Sequence, residues 1–169
     1  MVTAKSFYCF LALISIFFFS ACSNNEFQTL NSNQNYIFKY DGFEKTLKSQ
    51  NTNQAYALFF FTQDCGACNA QIPMLNELYK ERNFSILAVL NGAKSKEEAQ
   101  KILLEKKLDL PLLYEAKASS FLSKAVGGIY GVPVIVFYDE KGKINEKFIG
   151  LTPKGILENK IKFLKMYEF

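Results

Sequence analysis

Residues 55–68 read AYALFFFTQDCGAC, an almost unbroken apolar stretch that ends in two cysteines with two residues between them. An apolar run of this length is typical of a strand that is buried on both faces of a sheet. The residues after the second cysteine have helical periodicity, because Ile72, Leu75 and Tyr79 fall on one side of a helix. The sequence therefore predicts a buried strand, then the cysteine pair, then a helix.

Strands and helices alternate along the rest of the chain. Ser95, with Glu98 three residues later, forms a capping-box pattern that predicts a helix start. A turn at 139–142 joins two strand-like segments and predicts a hairpin. This order predicts an α/β fold with a central mixed β-sheet and helices on both faces. We expect strands at 36–40, 55–62, 84–90, 110–114, 132–138 and 143–149, helices at 43–49, 69–80, 95–107, 118–125 and from Pro153 onward, and Ile156, Leu157, Ile161 and Leu164 in the core.

The N-terminal segment has the pattern of an export signal. Lys5 is its one charged residue, and an apolar run extends from Phe7 to Phe19. This run is shorter than a typical membrane span of about 20 residues, whereas it suits the apolar region of a secretory signal. The small residues ahead of Cys22 match a bacterial lipobox, which predicts cleavage before Cys22 and lipidation of its thiol. An ordinary signal peptide with a cysteine nearby, or an uncleaved anchor, is the alternative.

Composition divides the chain into three segments. Residues 1–21 are the predicted lipoprotein signal peptide. Residues 22–35 are rich in Asn, Ser and Gln and lack periodicity, so we expect a lipid-anchored flexible tether. Residues 36–169 form the predicted folded domain, which is long enough for one hydrophobic core and too short for two. Under each reading of the signal, this domain lies outside the cytoplasm.

Composition also argues against several kinds of partner. The chain has 20 Lys and Arg against 16 Asp and Glu, a net charge of +4, and its lysines are scattered among acidic residues. This balance favours neither a nucleic acid nor a strongly acidic partner. The chain has no histidine, and its predicted domain has one cysteine pair, whereas a structural zinc ion takes four ligands. We therefore expect no nucleic acid, no metal and no cofactor.

The cysteine pair is the candidate reactive group. Of the four cysteines, Cys65 and Cys68 are the two that lie in the predicted domain. A disulfide across so short a loop adds little stability, because it removes little entropy from the unfolded chain. A redox role is the stronger interpretation. Cys65 stands where unpaired N–H groups at a helix start favour a thiolate, so we predict Cys65 as the nucleophile and Cys68 as the resolving thiol.

Two further segments make the pattern more specific. Gly131-Val132-Pro133 precedes the hairpin, and Pro73 stands five residues after the second cysteine. With the CGAC motif, these residues resemble the thioredoxin superfamily, in particular its TlpA/ResA-like membrane-tethered thiol-disulfide oxidoreductases, over residues 36–167. The resemblance implies a thioredoxin fold and a cis peptide bond before Pro133, with Val132 and Pro133 contacting an extended substrate. A trans proline at the first residue of a strand is the alternative.

Two positions depart from this family pattern. Thioredoxins often carry an acid in the strand six residues before the first cysteine, where this chain has Phe59. Several tethered reductases carry a glutamate three residues after the second cysteine, where this chain has Gln71. Neither side chain takes up a proton, so the usual acid-base helper is absent at both places. Asp64 is a candidate substitute, although its negative charge would raise the pKa of the neighbouring Cys65 thiol.

The resemblance implies an extracytoplasmic disulfide reductase on the periplasmic side of the inner or outer membrane. We expect a lipid-anchored monomer that receives electrons from a membrane donor protein and acts on exported proteins such as apocytochrome c. A disulfide oxidase or isomerase for protein folding is one alternative, which the reduction potential distinguishes. A non-catalytic lipoprotein that binds a partner through the same fold is another, and the residues at 59 and 71 keep it open.

Overall fold

The computed structural model describes residues 25–32 and 34–166 of the chain. The strands of this part are β1 Asn25–Gln28, β2 Asn35–Asp41, β3 Thr46–Ser49, β4 Tyr56–Phe61, β5 Ser85–Leu90, β6 Leu112–Leu113, β7 Val134–Tyr138 and β8 Ile144–Ile149. Its helices are α1 Gly66–Arg82, α2 Lys96–Glu105, α3 Ala116–Ala125 and α4 Lys154–Met166. From β4 onward, the predicted order of strands and helices is confirmed.

The main sheet has five strands in the order β6-β5-β4-β7-β8. β4 runs parallel to β5 and antiparallel to β7, so the sheet is mixed, as predicted. All six residues of β4 are buried, which explains its continuous apolar sequence. Since β4 is the central strand, the residues that follow it lie beyond its C-terminal end, at the middle of the sheet's width.

Helices cover both faces of this sheet. Alternate side chains of β4 point to opposite faces, because a strand has a period of two. Phe59 belongs to the core on one face, together with residues of α1, α2 and α4, including Ile72. Phe60 belongs to the core on the other face, together with Leu122 of α3 and Phe38 of β2, which lies in a second sheet of order β1-β2-β3. The α/β thioredoxin architecture predicted from the sequence is therefore confirmed.

The tether predicted over residues 22–35 is wrong for its described part. β1 lies in this segment and pairs antiparallel with β2, and Phe27 is 1% exposed. The Leu30 N–H donates to the Leu112 carbonyl at 2.9 Å, which joins the segment to the end of β6. Backbone pairing and one buried aromatic ring thus order a polar sequence, and the folded domain begins by residue 25 rather than at 36. The predicted signal peptide and Cys22 lie outside the described residues.

The helix predicted over residues 43–49 is also wrong, since this segment forms a turn and then β3. The Asp41 carboxylate accepts hydrogen bonds from the Phe43 and Glu44 N–H groups, which closes the turn. Lys45 then adopts a positive φ of 52°. Leu47 is fully buried in β3, whereas Phe43 is 92% exposed, so their helix-like spacing has no packing consequence.

Of two smaller sequence predictions, one is confirmed in full and the other in part. Ser95 caps α2 as predicted, and its hydroxyl accepts the Glu98 N–H at 3.2 Å. The predicted core of α4 is confirmed for Leu157, Ile161 and Leu164, whereas Ile156 is 48% exposed. Among the described helices, none is long and apolar enough to span a membrane.

Candidate active site

Cys65 and Cys68 form a disulfide at the start of α1, with an S–S distance of 2.05 Å. Cys65 is the N-cap residue of this helix, and its Sγ accepts the Cys68 N–H at 3.1 Å. This N–H has no partner within the helix, because the first turn of a helix leaves its donors unpaired. After reduction, the same N–H would stabilise a negative charge on the Cys65 sulfur.

The two sulfur-bearing side chains differ in exposure. Cys65 is 8% exposed and Cys68 is 0% exposed, and both border the core cluster that includes Ile72 and Leu75. An incoming molecule therefore reaches the sulfur of Cys65 and not that of Cys68. This difference favours the predicted order, in which Cys65 attacks and Cys68 resolves.

The Val132–Pro133 segment lies beside the disulfide. The peptide bond between these residues is cis, as the family resemblance implied. The Val132 carbonyl oxygen lies 3.8 Å from the Cys65 Sγ, and the Pro133 carbonyl accepts the Gly150 N–H at 2.8 Å. The structure thus brings Val132 and Pro133 next to Cys65, although the two segments are far apart in sequence. Contact of Val132 and Pro133 with a substrate stays a prediction.

Comparison with known proteins agrees with this geometry. The family model described as Redoxin matches residues 24–162, most of the chain. The chain belongs to the Redoxin family. This Redoxin-family protein is a thioredoxin-like thiol-disulfide oxidoreductase, with Cys65 and Cys68 as its thiol pair. A search of curated protein sequences finds no significant match.

Solved structures of similar fold come from several bacteria. StoA from Bacillus subtilis is 19% identical, with a TM-score of 0.63, over 83% of this chain and 97% of that protein. A secreted Mycobacterium tuberculosis disulfide oxidoreductase, homologous to Escherichia coli DsbE, is 19% identical with a TM-score of 0.59, over 83% and 96%. The exposed lipoprotein thioredoxin Etrx1 from Streptococcus pneumoniae is 23% identical with a TM-score of 0.61, over 84% and 100%. These likenesses confirm the thioredoxin fold.

The two positions that depart from the family pattern are structural in this Redoxin-family protein. Phe59 is fully buried and its ring stacks on that of Phe61 at 5.3 Å between centroids. Gln71 is also fully buried, and its amide pairs with the backbone of Thr152. The Gln71 Oε1 accepts the Thr152 N–H at 2.8 Å, and its Nε2 donates to the Thr152 carbonyl at 3.2 Å. Gln71 therefore joins α1 to the segment before α4.

Lys106 contacts the redox loop and was not predicted from the sequence. Its ammonium group donates to the Gln63 carbonyl at 2.7 Å and to the Asn69 Oδ1 at 2.5 Å. Gln63 precedes Cys65, and Asn69 lies in the first turn of α1, so one lysine holds both sides of the cysteine pair. Because these partners are far apart in sequence, no local pattern could have revealed the contact.

Replacing Lys106 tests this contact. We expect Lys106→Gln to lower the free energy of unfolding by about 1 kcal/mol, and to slow alkylation of reduced Cys65 because the loop is less fixed. Urea unfolding and a timed iodoacetamide reaction measure the two effects. Lys107→Gln is the matched control, since Lys107 is exposed and adjacent in sequence. Equal losses in both variants would mean that the charge, and not the contact with Gln63 and Asn69, is responsible.

The described part of the chain offers no alternative metal centre. Among residues 25–32 and 34–166, no three His, Cys, Asp or Glu side chains are grouped so that they could hold a metal ion.

The polar depression next to the disulfide is lined by Gln63, Asp64, Asn69, Glu105 and Lys106. Asp64 lies in this depression and is exposed, so it borders the nucleophile without being buried against it.

Proposed function

We propose that the protein is an extracytoplasmic disulfide reductase. The observation that carries the proposal is the burial of Cys68 among apolar side chains at the start of α1. Gly66 and Ala67 separate the cysteines, and Cys68 lies fully buried among apolar side chains. A strongly oxidising pair needs a stabilised reduced form, whereas burial in apolar surroundings disfavours a thiolate. The setting therefore favours a pair that gives electrons away.

The proposed reaction is a two-electron thiol-disulfide exchange. The Cys65 thiolate attacks one sulfur of a substrate disulfide, forms a mixed disulfide and releases the other substrate sulfur as a thiolate. The Cys68 thiolate then attacks the Cys65 sulfur and releases the second substrate thiol. The substrate is thereby reduced, and the Cys65–Cys68 disulfide is formed. A membrane dithiol protein restores the reduced pair by the reverse exchange, and exported proteins such as apocytochrome c are the proposed substrate class.

The redox state of the pair in intact cells tests this direction. A reductase that is supplied with electrons is expected to hold Cys65 and Cys68 mainly as thiols at steady state. Rapid acid quenching, followed by alkylation with a mass-adding maleimide, reports the fraction of each form on a gel. The Cys65→Ser variant cannot form the disulfide and keeps one reactive thiol of the pair. Its band therefore lies one maleimide below that of the fully reduced wild-type protein, and it calibrates the gel. A pair found mainly as disulfide would contradict the reductase and favour an oxidase.

The proposed location is the outer side of a bacterial membrane, with a lipid on Cys22 as anchor. The lipobox pattern at Ser20-Ala21-Cys22 supports this proposal. Two residues, Ser23 and Asn24, separate Cys22 from the start of β1. The three residue steps from Cys22 to Asn25 reach no more than about 11 Å even when fully extended. The lipid would therefore hold the folded domain against the membrane surface, next to a donor protein in that membrane.

Lipid labelling tests the anchor. We expect Cys22→Ala to abolish incorporation of a labelled fatty acid, because the lipidated thiol is gone, and to impair cleavage of the signal peptide. Lipoproteins carry several acyl chains, and one chain alone would hold the protein only weakly. Cys9→Ala removes a cysteine from the predicted signal peptide and is the control that keeps the label. Unchanged labelling of Cys22→Ala would refute the lipobox interpretation.

A further inference from the structure

A groove lies next to the disulfide, between α3 and the segment that leads into β7. It has a volume of about 250 Å³ and includes Ile129 and Val132 in its lining. Val132 is also the residue whose carbonyl oxygen lies 3.8 Å from the Cys65 Sγ. Val132 therefore links the groove to the redox site, so a peptide bound to the Cys65 sulfur would pass close to the groove.

The lining of this groove carries no charged side chain. One wall consists of Asn91 and three serines of α3, and Phe60 with Ile129 and Val132 supplies the apolar remainder. We call this the serine groove, and its three serines are Ser119, Ser120 and Ser123. The depression on the other flank of the redox loop differs, because Asp64, Glu105 and Lys106 line it.

Two of the serine hydroxyls are available to a ligand. Ser119 is buried, and its hydroxyl donates to the Ala116 carbonyl at 3.2 Å. Ser120 is exposed and Ser123 is half-buried, and neither hydroxyl bonds to another group in the described part of the chain. Serine is a weak helix former in a helix interior, so helix propensity does not explain three of them within α3. Their shared position on the groove is consistent with a binding role.

An exposed aromatic ring stands beside the same segment. Tyr130 is 98% exposed, and a side-chain carbon added to Gly128 would meet its hydroxyl oxygen at 2.9 Å and its ring carbons at 3.0 Å. The ring therefore lies over Gly128, which has no side chain and adopts a positive φ of 95°. Exposed tyrosines that combine an apolar ring with a hydroxyl are frequent at protein interfaces.

We propose that the serine groove binds an uncharged side chain of the protein substrate, next to the substrate cysteine that reacts with Cys65. This inference rests on the proposed function, because it assumes a protein partner with a disulfide or thiol. Serine hydroxyls and the Asn91 amide would pair with a small polar side chain, while Ile129 and Val132 contact its carbon atoms. A charged side chain would lose part of its water in the groove and meet no opposite charge in the lining, which is unfavourable. The groove thus selects extended substrate segments by charge.

Trapping with model peptides tests this selection. Each peptide carries one cysteine activated as a mixed disulfide with 2-nitro-5-thiobenzoate, and the peptides differ in having Ser, Glu or Lys beside that cysteine. The reduced Cys68→Ser variant attacks the peptide sulfur through Cys65 and releases the coloured thiolate. Capture of the Ser peptide is expected to be about tenfold faster than capture of either charged peptide, which corresponds to about 1.4 kcal/mol.

Placing a charge in the groove is expected to invert this preference. Ser120→Lys, in the Cys68→Ser background, is expected to capture the Glu peptide several-fold faster and the Lys peptide more slowly. Ala116→Lys, at a second exposed position in the groove lining, provides an independent variant. Asn53→Lys is the control, because Asn53 precedes β4 whereas Cys65 follows it, so the same charge stands at the opposite end of the strand.

The outcomes separate this inference from the proposed function. Reaction with a small symmetrical aromatic disulfide needs Cys65 alone, and it is expected to be unchanged in the Asn53→Lys control. If that reaction occurs and the peptides are captured equally by every variant, the serine groove has no role and the inference is overturned. If Cys65 fails to react with either the small disulfide or the peptides, the proposed function fails and the inference fails with it.

Discussion

Replacing Cys68 with serine is expected to leave the protein covalently attached to its substrate. Cys65 remains able to attack a disulfide, whereas the fully buried sulfur that would release the product is gone. Turnover of a protein disulfide is expected to fall by about a hundredfold or more, since chemistry that requires the second thiol stops after the first step. Non-reducing electrophoresis and mass spectrometry would detect the mixed disulfide at Cys65.

Cys65→Ser is the matched control for this experiment. It removes the same number of thiols and leaves Cys68 intact, yet it is expected to trap nothing, because the remaining sulfur is inaccessible. Timed alkylation of the reduced wild-type protein gives a second readout, in which Cys65 is expected to react first. Trapping by Cys65→Ser, or equal alkylation of both thiols, would reverse the assigned roles.

Removing the Gln71 amide is expected to cause a large loss of stability. Gln71→Leu keeps a similar volume but leaves the buried N–H and C=O groups of Thr152 without their partner. An unpaired buried polar group costs about 1–3 kcal/mol, so we expect the free energy of unfolding to fall by about 3 kcal/mol. Urea unfolding of the oxidised protein measures this change.

The same substitution at an exposed glutamine provides the control. Gln100 lies on the outer side of α2, and Gln100→Leu is expected to change the free energy of unfolding by no more than about 0.5 kcal/mol. Similar losses in the two variants would show that the Gln71 amide does not hold α1 to the segment before α4. The family pattern alone would have marked Gln71 as a missing acid, whereas its contacts give it a positive structural role.

The elements with strong apolar patterns could be predicted from the sequence. β4 consists of six consecutive buried residues, and the capped start of α2 depends on a local hydrogen bond, so both are visible in a short window. The cysteine pair could also be predicted from the sequence, because its position between a buried strand and a helix determines its environment. The Val132–Pro133 contact required the family resemblance, since 67 residues separate Val132 from Cys65.

The errors fall where long-range pairing decides the structure. β1 has a single buried aromatic residue in a polar segment, and it is a strand because its backbone pairs with β2. The helix predicted over residues 43–49 is absent because the Asp41 turn and the pairing of β3 with β2 determine this segment. Lys106 and the serine groove were missed for the same reason. Their role depends on which segments the fold brings next to the disulfide, and single-sequence patterns do not contain that information.

The reduction potential of the Cys65–Cys68 pair is the most direct test of the central claim that this protein is a disulfide reductase. It is measured by equilibrating the soluble domain with defined ratios of reduced and oxidised dithiothreitol or glutathione and quantifying the thiols by alkylation. The burial of Cys68 among apolar side chains predicts a midpoint of about −250 mV or lower, in the range of reducing thioredoxins. A midpoint near about −120 mV, the value of a strong oxidant, would contradict the account.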